Sequence, residues 1–223
     1  MRPALVLHYA WFAVRALGVL RPRVGPVFGV EGRAVALTVD DGPHPEWTPP
    51  LLDLLARHDI RATFFLIGDR VRERPDLARR IAGAGHLLGN HSMTHPHPFA
   101  ALGAAGLEAE VGGTQEAIQK ATGVLPEVFR APSGNWSPAV LRAAARHGLT
   151  PVDWAVNPSD WRRPGTGHIA RVLSRTRPGR IMLCHDGGGD RSQTVAALAQ
   201  ALPRLLARGL TFATPEVRPR VRT

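Results

Sequence analysis

From Gly32 onward, short apolar runs alternate with longer amphipathic stretches. Seven runs, at residues 33–39, 62–67, 87–89, 128–130, 149–154, 181–184 and 210–213, are bounded by Gly, Pro or Asp and predict buried strands. Between them the periodicity lengthens. Residues 48–58 predict a helix with Thr48 as N-cap, Pro49 in the first turn and leucines at 51, 52, 54 and 55. Pro75 opens a second helix that Gly85 ends, and Leu107, Val111 and Ile118 mark a third. Ser137-Pro138 opens a fourth, with His147-Gly148 as its C-terminal signal; residues 168–177 form a fifth, and 194–208 a sixth, kinked at Pro203. Alternation of this kind predicts parallel strands joined by crossover helices, hence a single barrel-like α/β domain.

Residues 1–31 stand apart. An apolar run at 4–14 is followed by Arg15, a second run at 16–20 and the basic close Arg21-Pro22-Arg23. The run has the length of a secretion-signal core and is too short to span a bilayer. His8 and Arg15 interrupt it, and Ala16-Leu17-Gly18 matches a cleavage site poorly. A helix packed on the domain, or lying on a membrane surface, is the favoured reading, with residues 32–223 as the domain proper. A 44% hydrophobic, 21% charged composition excludes intrinsic disorder. The single cysteine excludes a disulfide framework and a cysteine-rich zinc site. The net charge of +10 favours anionic partners. Its arginines are dispersed, however, without a recognition motif, so nucleic acid ranks last among partners.

The chemistry-bearing residues gather at predicted strand ends. Asp40 and Asp41 follow the first strand, His91 and His95 the third, Arg130 ends the fourth, Asp160 and Trp161 follow the fifth, and His185-Asp186 end the sixth. In α/β barrels the C-terminal strand ends share one rim, where active sites sit. His91 and His95, four apart, would face one side of a helical turn and reach one ion; a hydrolytic zinc site needs a third protein donor, which Asp41 could supply. His86 and His97 leave open which imidazoles bind. Two adjacent carboxylates after a buried strand repel each other unless a cation lies between them or one is protonated. A metal on Asp41 would relieve this and leave Asp40 to take a proton from an attacking water. Cys184 should face the helices and His185 the cleft, because strand neighbours alternate. Ser133-Gly134 lacks the nucleophile elbow of serine hydrolases. Residues 187–192 lack the lysine of a nucleotide loop and read as a rim loop that could touch sugar. Trp136 is expected to stack on a sugar ring; Trp11, Trp47 and Trp154 are expected in core or surface packing.

Five segments together resemble a known family. Thr38-Val39-Asp40-Asp41-Gly42-Pro43, His91-Ser92-Met93-Thr94-His95, Arg130-Ala131-Pro132-Ser133-Gly134, Ser159-Asp160-Trp161 and Ile181-Met182-Leu183-Cys184-His185-Asp186 are similar, in order, to the motifs of polysaccharide deacetylases, the NodB-homology carbohydrate esterases. The resemblance implies a deformed (β/α)7 barrel holding one divalent metal ion on Asp41, His91 and His95: zinc first, with cobalt or nickel as alternatives. It further implies Asp40 as general base held by Arg130, and His185 as general acid oriented by Asp160. Leu183 and Trp161 would line the acetyl pocket, and the Ser133 N–H would help stabilise the oxyanion. Ser133 replaces a tyrosine common in the family, and Asn157 an aspartate, which is expected to weaken the network behind the acid. The implied activity is N-deacetylation of N-acetylglucosamine units in peptidoglycan, chitin or their oligosaccharides. Alternatives are an O-acetyl xylan esterase, a cyclic-amide hydrolase and a non-catalytic carbohydrate-binding member. The expected protein is a monomer in the cell envelope or secreted, the cytoplasm staying open for want of a clear cleavage site.

Overall fold

The computed structural model describes residues 25–216; the apolar runs at 4–14 and 16–20 lie outside them. Seven strands form one parallel sheet: β1 (Ala34–Gly42), β2 (Thr63–Leu66), β3 (Leu87–Asn90), β4 (Val128–Phe129), β5 (Thr150–Pro151), β6 (Ile181–His185) and β7 (Thr211–Phe212). The order is β5-β4-β3-β2-β1-β6, with β7 pairing the start of β1. The sheet curls until the chain after β5 reaches β6. There the N–H groups of Ala155 and Val156 donate to Ile181 O at 2.9 and 3.0 Å, and Leu183 N–H donates to Val156 O at 2.9 Å. The result is the expected deformed (β/α)7 barrel. Val27 bridges Val152, Gly29 bridges Arg180, and Phe28 is buried. The packed domain therefore begins before Gly32, a correction to the boundary expected at residue 32.

Seven helices cover the outside among the described residues: α1 (Thr48–Arg57), α2 (Gly68–Glu73), α3 (Pro75–Gly83), α4 (Ala104–Thr122), α5 (Pro138–Arg146), α6 (Thr166–Ser174) and α7 (Ser192–Ala207). Helix α2 has no counterpart in the sequence reading: at six residues, with only Gly68 and Val71 buried, it is too short to display a period. Ser137 caps α5 as expected, accepting from Val140 N–H at 3.3 Å. Thr48 does not cap α1. It is the first helical residue, and its hydroxyl donates to the carboxylate of Asp186, the residue directly after β6.

Strand alternation sorts the interior. Val35, Leu37, Val39, Phe64, Leu66, Leu88, Met182 and Cys184 point outward and pack with the α1 leucines and α7. Each fully buried Leu or Phe there contributes about 1.5–3 kcal/mol. Ala36, Phe65, Val128 and Ile181 point into the barrel. Their inward register continues upward into polar positions: Thr38 and Asp40 on β1, Arg130 after β4, His185 on β6. Cys184 is fully buried, and burial pushes its thiol well above the usual range, helped by the charges of Asp160 and Asp40. It is the inert structural cysteine the alternation predicts.

Candidate active site

The first strand does not stop at Asp40, as its pattern predicts, but runs on to Gly42 through an irregularity. Asp40 pairs in register with Phe65 of β2 and with His185 of β6. The register to β2 then shifts between Asp40 and Gly42, and Asp41 takes a left-handed φ of 73°. A bulge adds one residue and re-aims a side chain. Here it lets two consecutive carboxylates approach the same imidazole: His91 Nε2 lies 3.7 Å from Asp40 Oδ2 and 3.5 Å from Asp41 Oδ1. A non-glycine in this conformation costs about 1–2 kcal/mol. Arg70 of α2 opposes that cost by donating to the Asp41 carbonyl oxygen.

His91 and His95 reach the site from a loop rather than a helical turn, with Ser92 at φ 68° and His95 at φ 56°. Their rings meet edge to face, centroids 5.0 Å apart. His91 Nδ1 lies 2.8 Å from the Arg130 carbonyl oxygen. A carbonyl only accepts, so the proton sits on Nδ1 and the Nε2 lone pair faces the carboxylates. His95 Nε2 is 3.6 Å from Asp41 Oδ1. His86 and His97 take no part. His86 Nδ1 accepts from Ala62 N–H at 3.2 Å, where burial and the charge of Arg61 pull its pKa to about 4; His97 is exposed.

These positions fit a cation. One donor atom each from Asp41, His91 and His95 lies within 4.8 Å of the others. Asp41 Oδ1 is buried yet has no hydrogen-bond donor among the described residues. Buried polar atoms are nearly always partnered, so this orphan is informative. Burial resists ionisation of Asp41, but His91, His185 and His95 outweigh it and hold the carboxyl well below its usual range. Burial lowers the pKa of His95, favouring the neutral, ligating form. One carboxylate with two neutral imidazoles is a three-donor set suited to zinc or a neighbouring transition ion.

On one flank, Arg130 is fully buried and donates to Asp40 Oδ1 at 2.7 Å. The same nitrogen donates to Thr38 Oγ1 at 2.7 Å, and the other guanidinium nitrogens reach the carbonyls of Val152 and Asp153 at 3.3 and 3.2 Å. Its plane rests on Phe65, 4.2 Å from the ring centroid. Room for that ring comes from Gly89, where a Cβ would lie 2.4 Å from Phe65. On the other flank, His185 Nδ1 is 2.8 Å from Asp160 Oδ1, and its backbone N–H donates to Asp160 Oδ2 at 2.9 Å. Thr194 donates to Asp160 Oδ2 at 2.9 Å. Burial alone would lower the His185 pKa, but Asp160, then Asp41 and Asp40, lift it to about 9.

A family model described as polysaccharide deacetylase matches residues 29–152. A chitooligosaccharide deacetylase of Rhizobium leguminosarum bv. trifolii is 41% identical over 196 residues, 82% of this chain and 91% of that one. The chain belongs to the polysaccharide deacetylase family. A peptidoglycan-N-acetylglucosamine deacetylase of Bacillus cereus is 40% identical, over 82% of this chain and 86% of that one. The crystal structure of a peptidoglycan N-acetylglucosamine deacetylase in complex with 4-naphthalen-1-yl-N-oxidanyl-benzamide superposes with a TM-score of 0.81 at 33% identity, over 85% of this chain and 89% of that one.

The expected substrate contacts of this deacetylase fold divide. Trp161 is 49% exposed beside Asp160 on the rim, with the Arg162 guanidinium 4.7 Å from its ring centroid. Leu183, nearly buried, shares the inward face of β6 with His185. Ser133 is exposed at a left-handed φ of 56° in the turn after Arg130. Trp136 corrects the sugar-stacking expectation. It is 9% exposed, packs edge to face on Phe129 at 5.7 Å, and its indole N–H donates to Asp153 Oδ2 at 2.9 Å. Asn157 accepts from Ser159 N–H at 2.7 Å, turning the chain toward Asp160, whose carboxylate is held by His185 and Thr194 instead. Thr194 and Arg70 escaped the sequence reading, and Thr38 entered it only as part of a motif, with no role assigned. Only Thr38 carried a signal, as a polar residue two before Asp40 on an otherwise apolar strand.

Proposed function

We propose that the protein is a metal-dependent N-deacetylase acting on N-acetylglucosamine units of chitin oligosaccharides or peptidoglycan. One observation carries the reading: Asp40 and His185 are register partners on adjacent strands, at the edge of the Asp41–His91–His95 donor set. Zinc is the favoured ion. A divalent cation bound there would polarise the acetyl carbonyl and make a nearby water more acidic.

The residues divide the remaining work. Asp40, fixed by Arg130, takes a proton from the water as its oxygen bonds to the acetyl carbon. The exposed Ser133 turn offers its backbone N–H to the carbonyl oxygen as charge develops. His185, kept protonated by Asp160, gives its proton to the sugar nitrogen as the C–N bond breaks. Acetate and the free amine result. An amide needs that proton because an unprotonated amine leaves poorly. The proton donor thus favours the N-deacetylase over an O-acetyl esterase, and a binding-only member has no use for the Arg130–Asp40 pair. Leu183 and Trp161 would border the acetyl methyl and the sugar.

Acetate release from chitin oligomers, peptidoglycan and acetylxylan, before and after chelation and after zinc or cobalt is restored, tests the reading. Metal-dependent release from an N-acetylglucosamine substrate is expected. Release from acetylxylan alone would replace the proposal with the esterase.

A further inference from the structure

Glu110 lies outside the donor set and beyond the segments that resemble family motifs, on α4. Its carboxylate nevertheless reaches across to the loop carrying the two histidines. Oε2 accepts from Met93 N–H at 2.8 Å and Thr94 N–H at 2.9 Å, and Oε1 accepts from the Thr94 hydroxyl at 2.7 Å. Met93 and Thr94 are two of the three residues between His91 and His95.

That loop has reason to relax. Ser92 and His95 both adopt left-handed conformations, which persist only where surrounding bonds over-determine them. Asn90 Oδ1 accepts from Ser92 N–H at 3.0 Å, and Ser92 Oγ accepts from His95 N–H at 3.1 Å. The carbonyls of Ser92 and Met93 accept from Gly68 and Asp69 N–H at 3.0 Å each. Asn90 is in turn tied to α4, donating to Val111 O at 2.9 Å and Gln115 Oε1 at 3.0 Å. In this lattice Glu110 provides the ionisable acceptor for the loop's central N–H groups, and hydrogen bonds to a carboxylate are the stronger kind.

We propose that Glu110 is a positioning residue for the cation: by fixing the 91–95 backbone it keeps the two imidazoles at ligand spacing and thereby sets metal affinity. The proposal rests on the reading of Asp41, His91 and His95 as the ligand set. Glu110 touches neither imidazole, so its action passes through the main chain. Outer partners of metal ligands change affinity by about 10–100-fold when removed, and a similar loss is expected here.

The test compares full-length wild type with Glu110→Ala and Glu110→Gln. Zinc affinity is measured by competition with a chromophoric chelator, cobalt coordination by visible absorption, and thermal unfolding of the metal-free proteins serves as the folding control. Glu110→Ala should bind zinc at least tenfold more weakly and change the cobalt band. Glu110→Gln, which keeps one carbonyl acceptor, should recover part of the loss. If Glu110→Ala does not fold, Glu110→Gln alone decides, a loss of threefold or more supporting the proposal. Zinc affinity within threefold of wild type in every folded variant would overturn it, even if the metal-free proteins unfold earlier, because that pattern marks a purely structural role. A wild type that binds neither ion would instead overturn the ligand-set reading, and this proposal with it.

Discussion

The groups assigned to move protons and the groups assigned to hold the cation are built differently. Asp40 and His185 sit at paired positions of two adjacent parallel strands, β1 and β6. Asp41, Ser92 and His95 depart from regular backbone, each with a left-handed φ. The first pair inherits its spacing from the sheet, so its remaining needs are electrostatic: a buried guanidinium for one, a buried carboxylate for the other. The set assigned to the cation gathers donors from the bulge in β1 and from a single loop, and bonds from Arg70 to Asp41 O and from Glu110 to the loop restrain that bent chain. Substitutions in the first group should change rate with metal still bound. Those around the second should change metal affinity first.

The sharpest way to break this contrast is Asp40→Asn with His185→Ala. Asp40→Asn should lower kcat about 10³-fold, and His185→Ala about 10²-fold on an N-acetyl substrate, within the range for positioned acids and bases. Both should keep full zinc stoichiometry by elemental analysis. Loss of zinc from Asp40→Asn would move Asp40 into the ligand set and erase the distinction. His185→Ala should spare an activated acetyl ester, whose leaving group needs no proton; equal losses on ester and amide would remove His185 as the acid.

Next in size is a pH effect. Asp160 is the largest influence raising the His185 pKa, against the opposing effect of burial. As the proposed proton donor, His185 would be competent below that pKa, and activity should fall as pH rises through it. Asp160→Asn therefore lowers the pKa and should move the alkaline limb of kcat/KM to lower pH by about one unit, a tenfold loss on that limb. An unmoved limb would assign it to another group. A bound cation offsets the charge of Asp41, so the wild-type limb should fall at or below about 9.

The smallest effects separate two tryptophans. Trp136→Phe should leave KM unchanged and reduce stability by about 1 kcal/mol, through loss of the hydrogen bond to Asp153. Trp161→Ala should raise KM a few-fold and leave the melting temperature nearly unchanged. The reverse pattern would restore Trp136 as a sugar contact.

The pair assigned to proton transfer was the more legible half in the sequence. Strand periodicity put Asp40, Arg130 and His185 at strand ends, and the alternation of Cys184 with His185 told outside from inside. The donor trio was legible as residue types but not as geometry. The four-residue spacing of His91 and His95 suits a helical turn equally well, and a loop with left-handed residues leaves no period to read. The bulge at Asp41 is a register shift between strands, a property of pairing that no single strand encodes. Trp136 misled because its partner, Asp153, lies beyond the next helix and becomes adjacent only when β5 pairs with β4. Glu110 had no local mark, being one acidic residue on a helix.

The unequal covering of the tryptophans has a practical corollary. Among the described residues, Trp136 is sealed in the core, Trp47 and Trp154 are half-covered, and Trp161 alone stands open, at the edge of the cleft. If Trp161 borders the sugar as proposed, its indole emission would report cleft occupancy. It would follow the titration of an unreactive sugar analogue directly, without label or turnover.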